Sequence, residues 1–372
     1  MPGSNANFNA STRSFTQVMT PLTMTAPQTS VFADLPQSGY VGALDLVFTG
    51  TATADATAGG ANTLLYPIAG AAVNLVKKIQ LRTNQGADLW NTSGWGALLY
   101  DRTLRSDFDP ATVPANVFPF TPDPSTAYWK PLPANIAASA SATFAFPVRM
   151  QLSWGEMLMA GLILLQNPGV RFTLSIDWGA PSDLFTAATA AQVTLSNVQV
   201  TPFLEQYLVP GEDANQPDLS LAKTVLEDLL PITGIGKYAY QPPRGNTYTR
   251  ILQEWVNGPT TAYVPMGFKA GSSATFATLF EAVYSQTQNI KNTPVANQLY
   301  QQRRLYGGSL PVGVYVHEWS LGNGVPEFPN GRDNIDTSQI TDFNINTTLA
   351  GSSPTAGAYV RSVKEQLVVV QA

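Results

Sequence analysis

The chain contains one histidine, His317, in the stretch PVGVYVHEWSLGNG (311–324). An imidazole is the side chain best suited to exchanging protons near neutral pH. Glu318 and Trp319 follow it directly. A second carboxylate, Glu254 in LQEWVNG, also precedes a tryptophan, Trp255. Two acids flanking a glycosidic bond are the machinery of sugar hydrolysis. Asp333 and Asp336 in GRDNIDTS (331–338) would place two oxygen ligands in one loop, as calcium requires. The acids of VPGEDANQPD (209–218) form a further set of candidate ligands.

Each of these groups lacks the company its chemistry demands. The chain has no cysteine, so a single histidine cannot complete the nitrogen and sulfur set that zinc prefers. A Ser-His-Asp triad would have to use His317, and no serine stands in a recognisable elbow. GxSxG, HExxH, Walker A and GxGxxG patterns are all absent. The loop around Asp333 and Asp336 lacks the alternating ligands of a calcium loop. Glu254 and Glu318 read as strand-end carboxylates, and the acids of 209–218 as a solvated linker. No catalytic, cofactor-binding or metal-binding residue is therefore expected, and no enzyme activity.

The elements that carry these residues are strands. In RFTLSIDW (171–178), Phe172, Leu174, Ile176 and Trp178 alternate with Arg171, Thr173, Ser175 and Asp177. That period of two marks a half-buried strand. PVRMQLSW (147–154) repeats it with Val148, Met150, Leu152 and Trp154 inward. AVNLVKKIQLRT (72–83) runs into TNQG and then ADLW, a hairpin signal. Two helices are expected, a short one over 93–104 and another over 292–308. The second would be capped by Thr293, started by Pro294 and stopped by Gly307. A third short helix is expected over LSLAKTVLEDLL (219–230). The N-terminal residues, rich in Asn, Ser and Gly, read as a flexible arm without the apolar core of a secretory signal. The apolar run MLMAGLILL (157–165) is too short to span a membrane.

The strand pattern occurs twice. PVRMQLSW matches PVGVYVHEW (311–319), and RFTLSID matches DFNINTT (342–348). A small-residue loop and a long apolar strand follow in each half. The copies lie roughly 170 residues apart, which marks a duplicated domain rather than a short repeat. In this alignment His317 takes the slot of Ser153, on the face opposite Val312, Val314 and Val316. It reads as a structural histidine.

Charged residues make up only 12% of the chain, about half the usual ~25%. Such a surface is readily covered by further copies of the chain. The net charge of −5, with no basic run, argues against direct nucleic-acid binding. The stretches VKKIQLRTNQGADLWNTSG, FPVRMQLSWGEMLMAGLILLQNPGVRFTLSIDW, LPVGVYVHEW and RDNIDTSQITDFNINTTL resemble the double jelly-roll major capsid proteins of tailless, membrane-containing, tectivirus-like bacteriophages. The resemblance implies an all-β fold of two consecutive jelly-roll sandwiches with a few short helices in loops. Its domains would be an arm and lead-in over 1–30, a first roll over 31–209, a linker over 210–230 and a second roll over 231–372. It implies no cofactor. It further implies a homotrimer forming a pseudo-hexagonal capsomer in an icosahedral shell, assembled in the host cytoplasm. The partners implied are neighbouring capsomers, vertex or penton proteins, minor capsid proteins and an internal viral membrane on the side of the N-terminal arm. The alternative is a carbohydrate-binding or carbohydrate-cleaving β-sandwich surface protein, which would expose Trp and Tyr beside paired acids.

Overall fold

Alternating side chains build the strands as the sequence leads one to expect. In Phe172–Trp178 the apolar residues are buried and Thr173, Ser175 and Asp177 are half-buried. The computed structural model describes residues 8, 11–55, 71–105, 132, 136–154, 161–185, 192–211, 216–217, 219–259, 265–267, 275–284, 288–306, 310, 312–319, 334–338, 340 and 342–369. The chain divides into two units. The first comprises Met1–Asp101, Pro122–Leu226 and Val369–Ala372, and the second Arg102–Thr121 and Glu227–Val368.

The first unit runs through β1 (Ser14–Val18), β2 (Leu22–Thr23), β3 (Ser30–Asp34), β4 (Tyr40–Ala54), β5 (Val76–Thr83), β6 (Asp88–Thr92), helix α1 (Gly94–Arg105), whose residues from Arg102 onward belong to the second unit, β7 (Ser141–Gln151), β8 (Ile163–Leu164), β9 (Phe172–Trp178) and β10 (Val193–Tyr207). One sheet has the order β1-β10-β4-β7, with β2 on β10 and β8 on β4; the other has β3-β9-β5-β6. The strands continue through β11 (Leu221–Pro231), whose residues from Glu227 onward belong to the second unit. There follow β12 (Gly236–Tyr240), β13 (Thr247–Val256), β14 (Thr275–Tyr284), β15 (Gln288–Pro294), helix α2 (Val295–Tyr306), β16 (Val314–Glu318), β17 (Ile335–Asp336), β18 (Phe343–Gly351) and β19 (Tyr359–Val369). Here β19 lies between β11 and β13, with β16 beyond β13 and β17 also on β13; the second sheet has the order β12-β18-β14-β15.

Setting the two-residue strands aside, each half runs through eight strands. The first, eighth, third and sixth are neighbours in that order, as are the second, seventh, fourth and fifth. That order is a jelly roll. The duplication is complete, down to a helix between the fifth and sixth strands.

Three expectations need correction. Residues 1–30 are not a flexible arm throughout, because β1 pairs with Phe203–Tyr207 of β10 and is the first strand of its roll. Segment 210–230 is not all linker, because β11 begins at Leu221 and buries Lys223, Thr224 and Val225. Nor does LSLAKTVLEDLL form a helix. Its spacing suits one, but the strand state gains ladder partners, such as the parallel pairing of Val225 and Leu226 with Trp90 and Asn91 of β6. Tertiary pairing overrides local propensity here.

Each core lies between two sheets. In the first unit Phe48 of β4 stacks on Phe146 of β7, with centroids 4.7 Å apart. It meets Trp178 of the facing sheet edge-on at 5.9 Å. Along the same ladder Leu46 pairs with Val148 two positions from that stack, and Leu44 with Met150 four positions from it. In the second unit Phe280 of β14 packs against Tyr315 of β16 at 4.7 Å, and Trp255, Val295 and Val360 join the cluster. Gly313, at φ +83°, admits the close approach of the chain entering β16, because a Cβ there would sit 2.8 Å from the Trp255 carbonyl oxygen.

Candidate functional site

His317 lies inside the second sandwich. It is 1% exposed, and Phe280 of the facing sheet meets its ring edge-on at 5.1 Å. Trp319 lies 6.2 Å away. The file Tyr315, His317, Trp319 therefore points into the core. Ser153 behaves differently. It belongs with Arg149 and Gln151: Arg149 Nε donates to Gln151 Oε1 at 2.8 Å, and Gln151 Nε2 to Ser153 Oγ at 3.0 Å. That file points away from the Phe48–Phe146 core. The expected match of His317 with Ser153 is thus off by one face. A strand alignment displaced by one residue inverts the faces while preserving the pattern.

Nε2 of His317 has no hydrogen-bond partner among the described residues. Burial, with a smaller contribution from the positive charge of Lys291, holds its pKa well below the ordinary value. Lys291 itself is lowered to about 8 by burial, against the opposing pull of Glu318.

The carboxylate pair is not brought together. Glu254 stands opposite Val314, whereas Glu318 stands opposite Arg250. Four ladder positions at 3.3 Å each separate them by about 13 Å, beyond the 5–9.5 Å that glycosidases use. Glu254 is fully buried and takes a charge-assisted hydrogen bond from Arg361, its direct cross-strand partner on β19. Arg361 Nε also donates to Glu227 at 2.9 Å. Burial alone would lower the Arg361 pKa, but the two carboxylates outweigh it and raise it. Among the described residues every tryptophan is at most 9% exposed, so none is free to stack on a sugar. Asp336 accepts from the backbone N–H of Ser338 at 2.9 Å, and Asp333 lies outside the described residues. No cluster of three metal-ligating side chains occurs among the described residues.

What the residues build instead is control of sheet edges. In β1-β10-β4-β7 the strand β7 is an end strand. Its Arg149 N–H donates to the buried Asp101 of α1 at 3.2 Å. In the second unit β16 is the end strand, and its Val316 carbonyl accepts from Gln298 and Gln302 of α2 at 2.6 and 3.0 Å. An unpaired strand edge is a template for unwanted pairing. Both helices close one. Sequence reasoning found the helices but not this role, because a polar residue on a helix carries no mark of the edge it will meet.

The end strands β1 and β3 carry Phe15, Val18 and Phe32 exposed at 39%, 58% and 73%. In the second unit Leu229, Ile235, Ile290 and Tyr300 are exposed. No helix among the described residues is long and apolar enough to cross a membrane.

No family model and no curated protein matches the sequence. Solved structures do match its fold. The major capsid protein of STIV, the Sulfolobus Turreted Icosahedral Virus, aligns over 96% of this chain and 97% of its own, with TM-score 0.65 and 15% identity. The PBCV-1 protein VP54 aligns over 97% of both chains, with TM-score 0.60 and 12% identity. The chain has the double jelly-roll fold of viral major capsid proteins. The major capsid protein P2 of bacteriophage PM2 shares that fold over 96% of this chain and 98% of its own, with TM-score 0.53 and 11% identity. These matches cover both jelly rolls, so the duplication read from the sequence is a property of the whole fold.

Proposed function

We propose that this double jelly-roll chain is a major capsid protein that self-assembles as pseudo-hexagonal trimers into an icosahedral shell over an internal membrane. The observation that carries the reading is the match of both rolls to viral major capsid proteins over at least 96% of this chain and 97% of theirs. The physical chemistry agrees with it. Two rolls per chain give six per trimer, close to hexagonal symmetry from three copies. A closed symmetric ring lets one sequence tile a surface. The scarcity of charge and the exposed Phe, Ile and Leu side chains suit contacts between copies.

The domain division of this reading assigns β1–β10 to the first roll and β11–β19 to the second. Its partners are other copies of the chain, vertex and minor capsid proteins, and the membrane on the side of the N-terminal segment. It places the chain in the virion shell after assembly in the host cytoplasm, with a structural role and no enzymatic one. The sugar-processing alternative loses its two supports, since the acids are far apart and the described tryptophans are buried.

Light scattering on the purified chain tests the proposal. A species of three times the 39.8 kDa chain mass is expected, and electron microscopy of the source particle should show hexagonal capsomers. A stable monomer that binds a saccharide would overturn it.

A further inference from the structure

The strands β15 and β16 end the two facing sheets of the second roll, and α2 links them in sequence. Together they close one side of the sandwich. At this corner the polar groups are poorly served. His317 Nε2, Gln298 Oε1 and Gln302 Oε1 are all buried without a hydrogen-bond partner. The two glutamine amides spend their N–H groups on one carbonyl, that of Val316. His317 is the next residue.

We propose that the β15–α2–β16 corner is an acid-sensitive hinge, closed while His317 is neutral and opened when His317 takes up a proton.

Among the described residues, the neighbours of the imidazole supply nothing that would accept the new charge. From β14 it meets Phe280, whereas Glu281 of that strand is paired with Lys237. Its cross-strand partner on β13 is Ile251, and the next residue along, Arg250, pairs with Glu365. Phe343 of β18 reaches the corner through Trp319. From β15 the charge that acts on it is Lys291, which is repulsive. Glu318 on its own strand acts on Lys291. Gln298 and Gln302 of α2 are neutral, and Arg303 is exposed. A protonated His317 must therefore reach water, and the route is the corner itself.

The sign follows from the lowered pKa. The open corner binds a proton below the ordinary value of about 6.5 and the closed one does not, so each pH unit below that multiplies the open population about tenfold. At pH 5 the factor can reach at most about thirty. The same factor acts on global unfolding, so the proposal requires that the corner open before the rest of the roll.

Because the chain has a single histidine, selective labelling of histidine gives one imidazole NMR signal. We would follow it from pH 8 to 4.5 on the assembled wild-type protein. Hydrogen exchange, corrected for intrinsic rate, would be followed over 288–306 and 312–319, with β9 and β18 as controls. The expected result is that the imidazole titrates below 6.5 in step with loss of protection in the corner, while the controls stay protected. In His317→Gln the corner should keep its protection. Titration near 6.5 with the corner closed, simultaneous loss of protection in corner and controls, or an unchanged corner at pH 5 would each overturn the proposal. The wild-type measurements decide the matter even if the variant fails to fold.

Discussion

Asp101 of α1 takes the backbone N–H of Arg149 at 3.2 Å, on the side of β7 that has no neighbouring strand among the described residues. The geometry makes the helix a lid on the sheet edge. Its removal should be felt as an orphaned donor, which costs about 1–3 kcal/mol. Asp101→Ala should destabilise the first roll by that amount in urea unfolding. Asp101→Asn, which keeps an acceptor oxygen, should recover part of the loss. Equal stability of Asp101→Ala and wild type would remove the capping role.

The corresponding lid of the second roll is redundant. Gln298 and Gln302 both donate to the Val316 carbonyl, so either alone keeps it satisfied. Gln298→Ala or Gln302→Ala should each cost no more than about 1 kcal/mol, and the double variant clearly more than the sum. A double-mutant cycle checks this; strict additivity would mean that the two amides act separately.

Arg361 sits between Glu254 and Glu227 on β19, buried with them. Replacing the arginine alone removes the opposite charge from beside a fully buried carboxylate. Arg361→Leu should cost about 3–5 kcal/mol, and adding Glu254→Leu should recover much of it. Chemical denaturation of the single and double variants reads the difference. If the second substitution deepened the loss, the pair would be held by packing rather than charge.

Much of this fold was legible in the residues. The alternation of Phe172 to Trp178, the β5–β6 hairpin and the presence of both long helices follow from period and turn signals, but Thr293 and Pro294, read as the cap and first turn of α2, end β15 instead, and the helix starts at Val295. The duplication was legible as an order of elements. Its register was not, since His317 and Ser153 face opposite ways and a one-residue slip leaves the pattern intact. β1, SFTQV, escaped notice because its burial is slight and its alternation weak. β11 was hidden by Leu221, Val225 and Leu229, whose spacing of four suits a helix as well as the strand that formed. The Glu254–Arg361 pair joins residues more than a hundred positions apart, and no local pattern announces it.

Phe8 anchors the N-terminal segment. It is buried among Tyr40, Leu162 and Tyr207, with Tyr40 edge-on at 5.6 Å. Beyond it, β1 is mostly exposed and held chiefly by its ladder to β10. Phe8→Ala should therefore free the segment without unfolding the roll, because the loss of about 3–5 kcal/mol usual for a buried phenylalanine is confined to a locally detachable piece. Limited proteolysis should show faster cleavage before residue 20, with an unchanged melting temperature for the remainder. A large fall in melting temperature would instead make Phe8 part of the cooperative core.

Lys291 sets a second pH window, separate from that of His317 and on the alkaline side. Burial lowers its pKa to about 8 from an ordinary 10.5, although Glu318 pulls the other way. Folding therefore favours the neutral amine. Its contribution is flat below about 8, where both states are protonated. It rises with pH up to 10.5, as the folded state sheds a proton that the unfolded chain keeps. The buried phenols oppose this further up, since Tyr248 is raised to about 12 by burial and costs stability once the unfolded chain ionises above 10. Between pH 8 and 9.5 the lysine acts alone of the two, and wild type should gain about 1–2 kcal/mol relative to Lys291→Met. Urea unfolding at pH 7.5, 8.5 and 9.5 measures the difference between the two proteins. Glu318→Gln should lower the Lys291 pKa further and extend the rise below pH 8. Parallel pH profiles for wild type and Lys291→Met would show that the amine is not held in the buried, partly neutralised state that the corner imposes on it.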